Sequence, residues 1–185
     1  MAVVAVTQGA LAAAQAPVNP QAAALKDFGD RVRAYVALHD RVARGIPPVS
    51  GAPSADAVTH RRDALAAGLR EARPAAHEGD LFTPEVASQV RALVRRDLRA
   101  RDLRDALAAV EEVAFQRVWV NMSWPQDAAR PTIPPRLLTS LYPLPQDLEY
   151  RLLDRHLVLL DVDAELVVDL VRNVLPSSIH PGLHQ

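Results

Sequence analysis

Leu148-Glu-Tyr-Arg-Leu-Leu-Asp-Arg-His-Leu-Val-Leu-Leu-Asp-Val-Asp-Ala-Glu-Leu-Val-Val-Asp-Leu-Val-Arg-Asn-Val-Leu-Pro176 is the stretch from which the architecture is read. Leu148, Tyr150 and Leu152 alternate with Glu149 and Arg151, the period of a half-buried strand. His156 to Val162 is a second, more apolar strand. With Asp154 and Arg155 as the loop of a hairpin, Leu152 lies opposite Leu157, Tyr150 opposite Leu159, and Leu148 opposite Asp161. Arg155 is a poor residue for the positive φ of a two-residue primed turn, so a longer loop or a bulge stays open. Beyond the hairpin the apolar period lengthens. Asp163 stands where a helix N-cap belongs, and Glu165 falls in the first turn, where the helix dipole favours an acid. Leu166, Val167, Leu170, Val171 and Val174 then make one helical stripe ending at Pro176, which predicts a closing helix.

Composition bounds the chemistry. The 185 residues suffice for one domain with a real core, and 49% are hydrophobic. A formal net charge of -1 removes bulk electrostatics as a reason to bind nucleic acid or an anionic membrane. The lack of cysteine excludes disulfides, thiolate metal sites and a cysteine nucleophile. No apolar run approaches the length of a membrane span, so no membrane insertion of the mature chain is expected. Residues 1–14 are small and apolar, and Ala12-Ala13-Ala14 before Gln15 has the form of a signal-peptidase site, although no basic residue precedes Lys26. The expectation is a periplasmic or secreted bacterial protein, or a cytoplasmic one if this segment is only an Ala-rich tail.

Upstream of the hairpin the chain reads as helices. Leu25, Phe28, Val32, Tyr35, His39 and Val42 recur at steps of three and four, an amphipathic stripe of coiled-coil type that ends at Gly45. A Pro/Gly-rich loop follows. Ser54 can then cap a helix running to about Arg73, with Val58, Leu65, Leu69 and Ala72 inward and Gly68 as a weak point. Thr83-Pro84-Glu85 is a helix start, with Val86, Val90, Leu93 and Val94 on the inner face. A kink or a fresh helix near Arg101 would put Leu103, Leu107, Val110 and Ala114 on the core. Val118, Val120 and Met122 alternate with Arg117, Trp119 and Asn121 as a strand. Residues 125–147 are proline-rich, with room for a short helix over Arg136 to Leu141.

The sum is a single α+β domain over 15–185. It has three or four helices over about 20–114, then a small three-stranded antiparallel sheet and a closing helix over about 115–176, and a flexible tail at 177–185. Leu-Glu-Tyr-Arg at 148–151, Leu-Val-Leu-Leu-Asp at 157–161 and Ala-Glu-Leu-Val-Val-Asp at 164–169, preceded by Thr83-Pro84-Glu85-Val86 and Ile133-Pro134-Pro135, resemble a family of small exported bacterial proteins with no assigned function. The resemblance implies export and no mechanism.

Residues that could carry chemistry each have a plainer reading beside them. Asp161 and Asp163, two apart, could hold a hard cation or divide acid and base roles, with Arg151 and His156 nearby. Asp163 is, however, wanted as a cap, Asp169 falls on the outer face of the expected helix, and no glycine-bearing calcium loop surrounds them. The expectation is therefore no metal and no cofactor. The histidines at 39, 60, 77, 156, 180 and 184 form no helical ligand pair, and His39 reads as a packing residue. Arg91, Arg95 and Arg99, with Arg96, Arg101 and Arg104, could grip phosphate, but Asp97, Asp102 and Asp105 interleave and favour a solvated, salt-bridged face. Trp119 and Trp124 are either a packing anchor or, with Tyr142, a contact surface.

Without a catalytic, metal or nucleotide motif, the leading expectation is a non-enzymatic exported interaction or accessory protein that meets a protein partner or a second copy through helix-mediated contacts. The alternatives are a small hydrolase or ligand-binding enzyme with an acidic site near Asp161 and Asp163, and nucleic-acid binding through the face from Arg91 to Arg104.

Overall fold

The structure is a computed structural model and describes residues 19–49, 51–52, 54–98, 117–124 and 133–176. Its elements are α1 (Pro20–Arg44), α2 (Ala55–Ala72), α3 (Pro84–Asp97), α4 (Pro135–Ser140), β1 (Leu148–Leu153), β2 (His156–Asp161) and β3 (Leu166–Val171). The architecture is α+β, with N-terminal helices followed by a three-stranded antiparallel sheet in the order β1-β2-β3. Residues 1–14, read as a signal peptide or an Ala-rich tail, the helix expected over 103–114 and the tail 177–185 lie outside the described residues.

The three longer helices begin where their caps dictate. The Asn19 side chain accepts from the Gln21 amide at 3.0 Å, Ser54 from Ala57 at 3.2 Å, and Thr83 from Val86 at 3.5 Å. Proline sits in the first turn of α1 and α3, where its missing N–H costs nothing. Val58 and Ala72, expected inward, are exposed, because α2 meets the core only through Leu65, Ala66 and Leu69.

The hairpin has the register read from its alternation: Leu152 pairs with Leu157, Tyr150 with Leu159, and Leu148 with Asp161. Its loop is the two residues Asp154 and Arg155, and only Asp154 takes positive φ (50°), so the arginine escapes the strain that favoured a longer loop.

Two expectations are corrected. Among the described residues no closing helix follows the hairpin: residues 166–171 form β3, joined to β2 by a turn over 162–165 in which Asp163 is an exposed turn residue rather than a cap. A register shift between Leu159 and Leu160 leaves Val168 as an extra residue on β3. This bulge sends Val168 and Val171 to one face of the sheet and Val167 and Leu170 to the other, so a strand buried on both faces acquires the i, i+3, i+4 spacing of a helix. The second correction concerns 117–124, which is not the third strand. It touches the outer edge of β3 through a bridge of Ser123 with Leu166 and through bonds between Asn121 N and Val167 O (2.8 Å), Val167 N and Met122 O (2.8 Å), and Trp124 N and Glu165 O (2.7 Å).

The sheet separates two apolar layers. On one side Phe28, Val32 and Tyr35 of α1, Leu81, Phe82 and the inner face of α3 pack on Tyr150, Leu152, Leu157 and Leu159. Phe28 stacks on Phe82 at 5.1 Å between centroids and meets Tyr142 edge-on at 5.5 Å. On the other side Leu153, Val158, Leu160, Val167 and Leu170 cluster with Val118, Met122 and Trp124. No described helix is long and apolar enough to cross a membrane.

Gly29 lies on the buried face of α1 beneath the Tyr142 ring, and a Cβ there would come within 2.8 Å of Tyr142 Cζ. Gly29→Ala should therefore destabilise by about 1–3 kcal/mol through overpacking, although alanine is the better helix former. Urea unfolding reads the loss. The same substitution in a Tyr142→Leu background should be close to neutral relative to Tyr142→Leu alone.

Candidate functional site

Among the described residues, polar groups gather at both ends of the hairpin. The first region is at the C-terminal end of β2. Tyr35 and His39 are one helical turn apart on α1, so both reach the same carboxylate 122 or more residues away in sequence. Asp161 Oδ2 accepts from the Tyr35 hydroxyl at 2.8 Å and faces His39 Nδ1 at 2.7 Å, while Oδ1 accepts from the Ala164 amide at 2.8 Å. All three side chains are buried. The hydrogen bond to Asp161 raises the His39 pKa against the opposing effect of burial. Burial, followed by the charge of Asp161, drives the Tyr35 phenol far up, so it stays a neutral donor. Arg73 stacks over the Tyr35 ring, 5.1 Å from its centroid. Asp163 Oδ2 lies 3.8 Å from His39 Nε2.

Asp169, which a helix would have exposed, is fully buried in β3. Its carboxylate accepts from the amides of Gly79 (3.0 Å), Leu81 (2.7 Å), Phe82 (2.8 Å) and Leu170 (2.8 Å), and so ties the loop before α3 to the sheet. Burial pushes its pKa up, and the four amides oppose that. This carboxylate does structural work and has no room for a substrate.

The second region is at the opposite end of the hairpin. A cavity of about 450 Å³ is lined by Arg117, Val118, Trp119, Leu153, Asp154, His156 and Arg172. His156 Nδ1 accepts from the Asn173 amide at 3.0 Å, which leaves the proton of the neutral ring on Nε2, 3.4 Å from Asp154 Oδ2. Burial lowers the His156 pKa, and Arg172 and Arg155 add to this against Asp154. Arg172 bonds Glu78 through Nε at 2.7 Å and the Val118 carbonyl through an Nη at 3.3 Å. Arg117 is exposed and makes no hydrogen bond or ion pair with the described residues. Trp119 is 54% exposed.

The residues singled out from sequence are thus distributed unevenly. Asp161 and Asp163 are together, but with His39 and Tyr35 rather than with Arg151 or His156. Arg151 pairs with Glu149 (Nε to Oε1, 2.6 Å), and His156 is at the far end of β2, about 16 Å along the strand. Trp124 is buried in the second apolar layer, and Tyr142 is half-buried against Phe28. Of the arginine face, Arg91 bonds the Arg172 carbonyl at 3.1 Å and Arg96 pairs with Asp97, which it holds at a pKa of about 2. Arg99, Arg101 and Arg104 lie outside the described residues. The His39–Asp161 contact escaped the sequence reading. Its one local signal was a histidine one turn from a tyrosine within an apolar stripe. Comparison of the chain with protein-family models, with curated proteins and with solved structures finds no match.

Proposed function

We propose that the protein is an exported, non-enzymatic interaction protein, and that it seats an acidic segment of a protein partner at the cavity between Arg117, Trp119, His156 and Arg172. The observation that carries this reading is an indole more than half exposed in the same cavity as a guanidinium that has no counter-ion among the described residues. Tryptophan and arginine are the side chains that most often dominate binding energy when a partner desolvates them. A carboxylate matches Arg117 in charge and in bidentate geometry, and the Nε2–H of His156 supplies a further donor. Glu78 already pairs with Arg172, so among the described residues Arg117 is the lining guanidinium that no carboxylate engages.

The contact surface differs from the one that the apolar stripe suggested. Phe28, Val32, Tyr35 and His39 are spent on the chain's own core, so α1 has no seam left for a partner. Each alternative loses residues it was built on. Arg151 and His156 stand apart from Asp161, and Arg91 is engaged with a backbone carbonyl.

The experiment is native purification of the chain from its own host, identification of any stoichiometric protein that accompanies it, and rebinding of the two purified components. Trp119→Ala should weaken that binding at least tenfold while moving stability by no more than about 0.5 kcal/mol, since the side chain is largely in solvent. A chain that purifies alone, or a partner that binds Trp119→Ala and Arg117→Ala as tightly as wild type, removes the proposal.

A further inference from the structure

The first polar region holds an arrangement that the partner-binding reading does not use. Asp161 takes three donors, from Tyr35, Ala164 and His39, so it acts as an acceptor and the proton of the neutral imidazole lies on Nδ1. The remaining nitrogen, Nε2, then presents its lone pair. The His39 side chain is only 4% exposed, and Nε2 has no hydrogen-bond partner among the described residues. The Asp163 carboxylate lies 3.8 Å from it through Oδ2, beyond hydrogen-bond distance. A second carboxylate converges on the same point. The Asp147 carbonyl accepts from Val162 N–H at 3.0 Å, one rung beyond the Leu148–Asp161 pair, and this sets Asp147 beside the turn that carries Asp163. One ligand atom each from His39, Asp147 and Asp163 lies within 4.8 Å of the other two. Two carboxylates facing Nε2 favour a positive charge there, which either a proton on the ring or a bound cation supplies.

We propose that His39, Asp147 and Asp163 bind one divalent transition-metal ion, with zinc the best chemical match, and that Asp161 is the outer carboxylate that orients the imidazole toward it. Imidazole nitrogen with two carboxylate oxygens is a zinc donor set, and a carboxylate on the second nitrogen of a metal-binding histidine is its usual companion. Calcium is a poor match, because it takes six to eight oxygens and has no use for the ring nitrogen. Zinc at roughly 2.0–2.2 Å from each ligand brings ligand atoms to about 3.3–3.6 Å apart. The existing spacing closes to that by small side-chain rotations, which Asp163 can make because it is 66% exposed on the turn after β2. Three protein ligands leave a coordination position for water.

The test is isothermal titration calorimetry of zinc chloride into the chelator-treated full chain, repeated with cobalt(II) while the visible absorption is followed. One ion per chain is expected. Asp163→Asn and Asp147→Asn should each weaken zinc at least tenfold with unchanged circular dichroism. The double variant His180→Ala/His184→Ala should keep the site, which separates it from the C-terminal histidines. The proposal is overturned by a wild-type chain with no saturable site, by unchanged affinity in both aspartate variants, or by loss of the site with His180 and His184.

Discussion

Asp169→Ala should be the most damaging single substitution in the described part of the chain, lowering unfolding stability by at least about 3 kcal/mol or abolishing folding. The carboxylate accepts from four backbone amides, three of which belong to the loop that leads into α3. Leu81 and Phe82 are buried in the same place, so their freed N–H groups cannot turn to water. Each buried donor left without a partner costs roughly 1–3 kcal/mol, and alanine leaves several at once. Asp169→Asn retains one carbonyl oxygen and should lose less. Had the residue been on the outer face of a helix, both substitutions would be near neutral, so urea unfolding of the pair discriminates the strand from the helix directly.

Asp161→Ala should follow closely, at about 2–4 kcal/mol, because it strands the Tyr35 hydroxyl, the His39 N–H and the Ala164 amide in a buried site. Part of that loss belongs to the pair with Tyr35. In a Tyr35→Phe background the same substitution should cost measurably less, and the double-mutant cycle should give a coupling of about 0.5–3 kcal/mol. Equal costs in the two backgrounds would show that the tyrosine does not bond the carboxylate.

Both carboxylates mark the limit of what the sequence made legible. The hairpin register was readable because it is local and because one face of β1 is buried, so Leu148, Tyr150 and Leu152 had to share that face. The helix starts at Ser54 and Thr83 were readable because a cap is a short-range bond. The helix expected after the hairpin failed for a definable reason. A bulge at Val168 inserts one residue into a strand buried on both sides, and apolar residues at 166, 167, 170, 171 and 174 then imitate a helical stripe. The counter-signal was valine at 162, 167, 168, 171 and 174, since a run so rich in β-branched residues favours a strand. Asp161 and Asp169 could not be placed because their partners lie in α1 and in the loop at 79–82, 87 or more residues away. Trp119 and Trp124, evenly weighed in sequence, differ because the chain turns at Asn121, whose φ is 66°. That turn leaves one indole in solvent and the other beneath the sheet.

The most direct measurement is hydrogen–deuterium exchange of the chain alone and in complex with the partner that accompanies it from its host. New protection is expected at 117–120 and at 154–156, which border the Trp119 cavity, with the outer face of α1 unchanged. Protection confined to α1, or none around Trp119, would contradict it.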